Sequence, residues 1–100
     1  MIKLIWVESA VDGLVRLKEF IDINNPAAAK RAGLAIKAAI EELAEFPLLG
    51  KPVKDLLGYR DLFIKFGVSG YILRYKVSEE ALYVLHIRHA REVDFAKISD

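Results

Sequence analysis

The second half of the chain contains three apolar segments in which every other side chain is hydrophobic. They span residues 60–66, 71–77 and 82–89, and short polar or glycine-containing turns separate them. A two-residue period predicts β-strands, and turns this short join antiparallel neighbours. The chain must therefore build a sheet with one apolar face, and another part of the chain must cover that face.

The first half of the chain supplies a short strand and a first helix. Residues 2–7 are β-branched and aromatic, which predicts a strand. Ser9 followed by Asp12 resembles a capping box, so we expect a helix to begin at Ser9. Apolar residues then recur at helical spacing, which indicates a helix that continues to about Ile23.

A second helix follows a clear break at Asn25 and Pro26. Asn25 is suited to the N-cap, and proline is tolerated at the first helical position because its missing N–H is not needed there. Residues 26–46 are rich in alanine and have an apolar stripe at helical spacing, and Pro47 ends the helix. The short link predicts an antiparallel helical hairpin.

These elements predict an α+β fold of order β-α-α-β-β-β in a single domain spanning residues 1–100. We expect the helical hairpin to pack on one face of a mainly antiparallel four-stranded sheet, with residues 48–58 as a connector. The first strand must join this sheet to satisfy its backbone groups. The sequence does not indicate which edge it joins.

Composition excludes several classes of protein. The 100 residues include no cysteine, and the formal net charge is +1, so disulfides and thiolate metal sites are excluded and any basic patch must arise from arrangement. No metal-ligand spacing is visible, and we expect no cofactor. No apolar run is long enough to span a membrane, and the N-terminus lacks the features of a signal peptide, so we expect a cytoplasmic protein.

Strand alternation predicts two chemically different sheet faces. One face is apolar and is expected to lie under the helices: Leu62, Ile64, Leu73, Tyr75, Leu85 and Ile87. The other is expected to be cationic: Lys65, Arg74, Lys76, His86 and Arg88, with Lys3 as a further candidate. A basic sheet face suits an anionic partner. The alternative is an ordinary solvated face without a ligand.

Four other residues have more than one interpretation. His89, at the end of the last strand, could act as a general acid or base, but a hydrogen-bonded structural histidine is the interpretation we favour. Arg91 and Glu92 could pair with each other or with solvent. Arg60 could bind an anion or tie the connector to the helices.

Several short motifs, taken in order, resemble the RelE/ParE superfamily of toxins from type II toxin–antitoxin operons. They are an opening strand followed by Ser9-Ala10, Asn25-Pro26 with the alanine-rich helix, Phe46-Pro47-Leu48-Leu49-Gly50, Gly58-Tyr59-Arg60-Asp61-Leu62, Ser69-Gly70-Tyr71-Ile72-Leu73-Arg74-Tyr75 and the ending Val84-Leu85-His86-Ile87-Arg88-His89-Ala90-Arg91-Glu92. No single motif is decisive, but the set runs the length of the chain. The order of predicted elements is also that of the superfamily.

The resemblance implies two possible mechanisms. RelE-like members cut messenger RNA on the ribosome with basic side chains, whereas ParE-like members bind DNA gyrase and are not known as nucleases. Lys65 and Arg91 match basic positions of the nucleases, but Phe63 and Ile72 stand where the nucleases have a lysine and an arginine, and Phe95 stands nearest to their C-terminal tyrosine. The sequence therefore resembles the ParE-like branch more closely, and on this interpretation it is not an enzyme.

The resemblance also implies partners. A cognate antitoxin would wrap the toxin in a hetero-oligomer, using exposed apolar grooves beside the helical hairpin, and would contact operator DNA. Growth inhibition and plasmid stabilisation are the expected effects. The alternatives are a ribosome-dependent endoribonuclease with Lys65, Arg74, His89 and Arg91 as catalytic candidates, or an inactive toxin. For target or anion binding, the candidates are Arg60, Lys76, His86 and Arg88.

Overall fold

A computed structural model of the chain, which describes residues 2–90, places two helices on one face of a five-stranded sheet. The elements are β1 (Lys3–Trp6), α1 (Glu8–Asn24), α2 (Pro26–Glu45), β2 (Lys51–Pro52), β3 (Tyr59–Phe66), β4 (Ser69–Val77) and β5 (Ala81–His89). The strand order across the sheet is β1-β5-β4-β3-β2. The predicted α+β class and element order are confirmed, and one short strand is added.

The central sheet is the predicted meander, in which β3, β4 and β5 pair antiparallel through tight connections. β1 joins at the β5 edge and runs parallel to it. The fifth strand, Lys51–Pro52, pairs with β3 inside the segment that we predicted to be a connector. Its proline fits an edge position, because proline cannot donate a hydrogen bond to a further strand.

The two helix starts differ in how they are capped. At α2 the prediction is confirmed: the Asn25 side-chain oxygen accepts the backbone N–H of Ala28 at 3.1 Å. At α1 the prediction of a capping box at Ser9 is wrong, because the helix already begins at Glu8 with Val7 at the N-cap and without a side-chain cap. The Ser9 hydroxyl instead donates to the carbonyl oxygen of Leu85 at 3.2 Å.

That carbonyl belongs to a β-bulge in β5. Arg74 pairs with His86, whereas the next residue of β4, Tyr75, pairs with Val84, so Leu85 is an extra residue in β5. The predicted place of Leu85 in the apolar face is therefore wrong, and Val84 is fully buried there instead.

The core lies between the helices and the inner sheet face. Tyr71 and Tyr75 are buried in it as predicted. The Tyr75 hydroxyl donates to the Pro47 carbonyl oxygen at 2.8 Å and accepts the Gly50 N–H at 2.7 Å. A Cβ on Gly50 would lie 2.7 Å from that hydroxyl, so the chain needs glycine here to pass so close to β4. This tyrosine fixes the segment after α2 to the centre of the sheet.

Candidate functional site

The sheet face that points away from the helices, called the outer face below, is strongly cationic. Strand pairing puts all five predicted basic residues on it, together with a lysine at either edge of the sheet. The full set is Lys3, Lys51, Lys65, Arg74, Lys76, His86 and Arg88. Because the protein as a whole is nearly neutral, this face is a local concentration of positive charge.

One carboxylate partly neutralises this positive charge. Asp61 is the single acidic residue on the five strands, and both its oxygens accept hydrogen bonds from Arg74, at 2.8 and 2.9 Å. The hydrogen bond to Asp61 raises the pKa of the Arg74 guanidinium, which therefore stays charged. The pair orients Arg74, whereas Lys65 and Lys76 on the same face are exposed.

Aromatic rings lie among these cations. Tyr59, Phe63 and Tyr83 occupy outer-face positions, and the Lys76 ammonium lies 5.4 Å from the centre of the Tyr59 ring. Alternation along β3 predicts the position of Phe63, on the face of Lys65 and opposite to the buried Ile64. Alternation along β5 would put Tyr83 on the face of Ile87, but the bulge at Leu85 moves it to the outer face. No face was predicted for Tyr59.

The structure separates the residues proposed for a ribonuclease centre. Lys65 and Arg74 lie on the outer face, whereas His89 pairs with Tyr71 on the inner face, where the two rings meet edge to face at 5.7 Å. Arg91 lies outside the described residues. Within residues 2–90, the sheet itself lies between the histidine and the two cations, so no joint acid–base chemistry follows from their arrangement.

Arg60 also lies away from the outer face. It is opposite Tyr75 in the pairing of β3 with β4, and its Nη1 donates to the carbonyl oxygens of Leu48 and Gly50 at 3.1 and 2.6 Å. These contacts tie the connector to β3, whereas the sequence interpretation had Arg60 tie the connector to the helices. They place Arg60 outside the cationic face.

A second surface feature is an apolar groove of about 700 Å³ between the C-terminal half of α1 and the β3–β4 turn. Its walls come from both elements and from the end of the sheet: Leu17, Phe20, Ile21, Phe66, Gly67, Val68, Ser69, Tyr71 and His89. Burial raises the pKa of Tyr71, so its ring is a neutral part of the groove at physiological pH. The expectation of an apolar groove beside the helices thus has a definite candidate.

The same part of the chain lacks two other kinds of feature. Residues 2–90 contain no cluster of three or more histidine or acidic side chains that could hold a metal ion. No helix among them is both long enough and apolar enough to cross a membrane.

Known proteins share this architecture and sequence pattern. A family model described as the ParE toxin of the type II toxin–antitoxin system parDE matches residues 4–94. Toxin RelE2 of Caulobacter vibrioides is 32% identical over 90 residues, which is 90% of this chain and 97% of the relative. Toxin RelE3 of the same organism is 34% identical over 79 residues, or 79% and 84% of the two chains.

One solved structure supports the fold alone. A chain of the chromosomal ParDE toxin–antitoxin system from P. aeruginosa superposes with a TM-score of 0.76 at 20% identity, covering 89% of this chain and 96% of the other. At this identity, the agreement concerns the arrangement of helices and strands and not the chemistry of the outer face.

Proposed function

The chain belongs to the ParE toxin family of type II toxin–antitoxin systems, and from this premise we propose that it inhibits growth by binding DNA gyrase. Membership in the RelE/ParE superfamily makes it a toxin with an antitoxin partner. The choice of gyrase as the target is our proposal. It places the action of the protein in the cytoplasm, where gyrase works.

The observation that carries the proposal is the pair formed by Phe63 and Ile72. They lie opposite each other on the outer face, in the middle of the cationic surface. RelE-like nucleases are expected to have a lysine and an arginine at these two positions. A hydrophobic pair cannot move a proton or stabilise the charge that develops during phosphodiester cleavage. The outer face therefore fits a role in binding a target better than a role in catalysis.

Charge supports a protein or nucleoprotein target for this face. Lys65 and Lys76 are exposed and lie on the same sheet face as the Asp61–Arg74 pair. Such a cationic surface accelerates association with acidic partners and weakens as the salt concentration rises. We propose the outer face, including Lys76, His86 and Arg88, as the target-binding surface.

The antitoxin has a separate place to bind in this proposal. The groove between α1 and the β3–β4 turn is apolar, and Phe20 and Val68 expose most of their side-chain surface there. An amphipathic segment that folds on binding would bury these side chains. We propose that the C-terminal part of the antitoxin occupies this groove in a hetero-oligomer, and that its other end contacts operator DNA.

A growth experiment tests the proposal in cells. The chain is expressed alone and together with the small protein encoded beside it, and plasmid supercoiling is followed in the same cultures. We expect growth arrest with relaxed plasmid, relieved by the neighbour. His89→Ala should arrest growth as strongly as the natural chain, because His89 does not reach the outer face.

The second candidate function is ribosome-dependent cleavage of messenger RNA. It is favoured by the names of the Caulobacter relatives and by an exposed Lys65 on the same sheet face as Arg74. Mapping of message ends in the arrested cells separates the two functions. Cuts at the ribosomal A site that disappear in Lys65→Gln, with supercoiling unchanged, would replace gyrase inhibition by the nuclease function.

A further inference from the structure

The ring of Phe63 lies directly over Gly70 on the outer face. A Cβ added to Gly70 would stand 2.8 Å from Cζ and 3.0 Å from Cε1 of this ring. The ring therefore occupies the space that any other residue at position 70 would fill, and it extends along the sheet. Even so, 56% of Phe63 remains exposed. The result is an accessible aromatic surface held against a rigid strand.

Two cations flank this ring on its own face. Lys65 follows two residues later on β3, about 7 Å away along the strand. Arg88 lies in the same cross-strand row, since it pairs with Ile72 and Ile72 pairs with Phe63. A flat apolar ring framed by positive charges matches a ligand that has flat rings and negative charges in alternation.

A second aromatic row lies further along the sheet. Tyr83, Lys76 and Tyr59 are consecutive partners across β5, β4 and β3, so a lysine stands between two tyrosine rings. Neighbouring strands are about 4.8 Å apart, so the two tyrosines are about 10 Å from each other. Each of the two rows on this face therefore contains at least one aromatic ring and one cation.

We propose that the outer face binds single-stranded DNA, with a base stacked on Phe63 and phosphates on Lys65 and Arg88. Every base presents a π-face, and stacking on aromatic side chains combined with a cationic track is how single strands are held without sequence preference. A duplex hides its base faces and cannot use the ring. Outer-face positions on the five strands carry no Ser, Thr, Asn or Gln. The side chains beside Phe63 on this face are Lys65, Ile72 and Arg88, which include no acceptor for a ribose 2′-hydroxyl, and this favours DNA.

This inference goes beyond the proposed function, because a toxin can bind gyrase as a protein without touching DNA. It also stands on different observations, namely the ring over Gly70 and the two aromatic rows. For this reason it is tested on the full chain alone, without gyrase, so that its failure leaves the gyrase proposal untouched.

The test is fluorescence anisotropy with a labelled oligothymidine of about 12 nucleotides, a length within the range of known single-strand sites. We expect saturable binding that weakens with salt. Phe63→Leu, which keeps an apolar side chain of similar reach but removes the ring, should weaken binding about tenfold, while Phe63→Trp should retain it. Lys65→Gln should weaken binding and reduce the slope of log affinity against log salt by about 0.7.

Matched controls come from the rest of the chain. Phe46 is also 56% exposed but lies at the end of α2, so Phe46→Leu should bind as the natural chain does. Lys37→Gln, on an exposed position of α2, controls for the loss of one charge. Thermal melting of each variant confirms that it is folded.

Three results would overturn the inference. Binding that Phe63→Leu leaves unchanged would mean that no base stacks there. Equal affinity for a 12-base-pair duplex would reduce the face to a general polyanion surface. An RNA of the same sequence that binds tenfold more tightly would contradict the assignment to DNA.

Discussion

Arg74 and Asp61 form a two-point ion pair in the middle of the cationic face, with Nε 2.8 Å from Oδ1 and Nη2 2.9 Å from Oδ2. The two residues are direct partners in the pairing of β3 with β4. This geometry fixes one arginine and cancels its charge at short range. The strength of the outer face as an anion site is therefore set partly by a single aspartate.

Replacing Asp61 by Asn tests this role. We expect single-stranded DNA to bind several-fold more tightly, with a salt slope steeper by up to about 0.7, because one more cation becomes available. Stability should fall by about 1 kcal/mol, since both partners are partly exposed to solvent. Anisotropy and chemical denaturation measure the two effects. Asp22→Asn on α1 is the matched control, and an equal gain in affinity there would contradict the assignment.

Tyr75→Phe tests the attachment of the connector. The change removes only the hydroxyl, which leaves the Gly50 N–H and the Pro47 carbonyl without their partner. We expect a loss of about 1–3 kcal/mol in the free energy of unfolding, measured in urea at neutral pH. Tyr83→Phe is the control, because Tyr83 lies on the outer face. An equally large loss of stability in Tyr83→Phe would argue against a special role for the hydrogen bonds of Tyr75 to Pro47 and Gly50.

Buried tyrosines also predict a loss of stability in alkali. Burial raises the pKa of both Tyr71 and Tyr75 above the ordinary value of 10.0. A tyrosine with a raised pKa in the folded state ionises more easily in the unfolded chain. Its contribution to the free energy of unfolding is therefore complete below the pKa of the unfolded state and is lost as the pH rises through the pKa of the folded state. The free energy of unfolding should therefore fall as the pH rises above about 10. In Tyr75→Phe the free energy of unfolding should fall less steeply with pH. An unchanged dependence on pH would show that ionisation of Tyr75 does not contribute to the loss of stability.

If the antitoxin occupies the apolar groove, substitutions in the groove wall should weaken its binding. Phe20→Glu places a charge in its wall, and we expect the affinity for the antitoxin to fall at least tenfold with little change in stability, because Phe20 is mostly exposed. Isothermal titration calorimetry measures the affinity. Val15→Glu, also exposed on α1 but outside the groove, should bind normally. Normal binding by Phe20→Glu would place the antitoxin elsewhere.

Much of the fold could be predicted because its patterns are local. The alternation along β3 and β4 identified both faces correctly, and Asn25 with Pro26 marked the start of α2. In β5 the alternation failed at Leu85, because Val84 and Leu85 are both apolar and either could face the core. The position of the bulge depends on how β5 pairs with Arg74 and Tyr75 of β4, and the sequence of β5 alone does not indicate this pairing.

The site was predictable in its charge but not in its complete chemistry. Lys65, Arg74 and Arg88 were assigned to one face by parity alone. The position of Phe63 over Gly70 depends on two strands that meet in space, and the role of Arg60 depends on the path of the chain after α2. Contacts of this kind follow from the tertiary structure, so reading one segment at a time does not reveal them.

The most direct measurement of the central claim is a supercoiling assay with purified gyrase and relaxed plasmid. We predict that the chain abolishes supercoiling at molar ratios near those of the enzyme, that the antitoxin restores supercoiling, and that message in translating ribosomes stays intact. Gyrase that remains fully active in a large excess of a chain shown to arrest growth would rule out gyrase as the target.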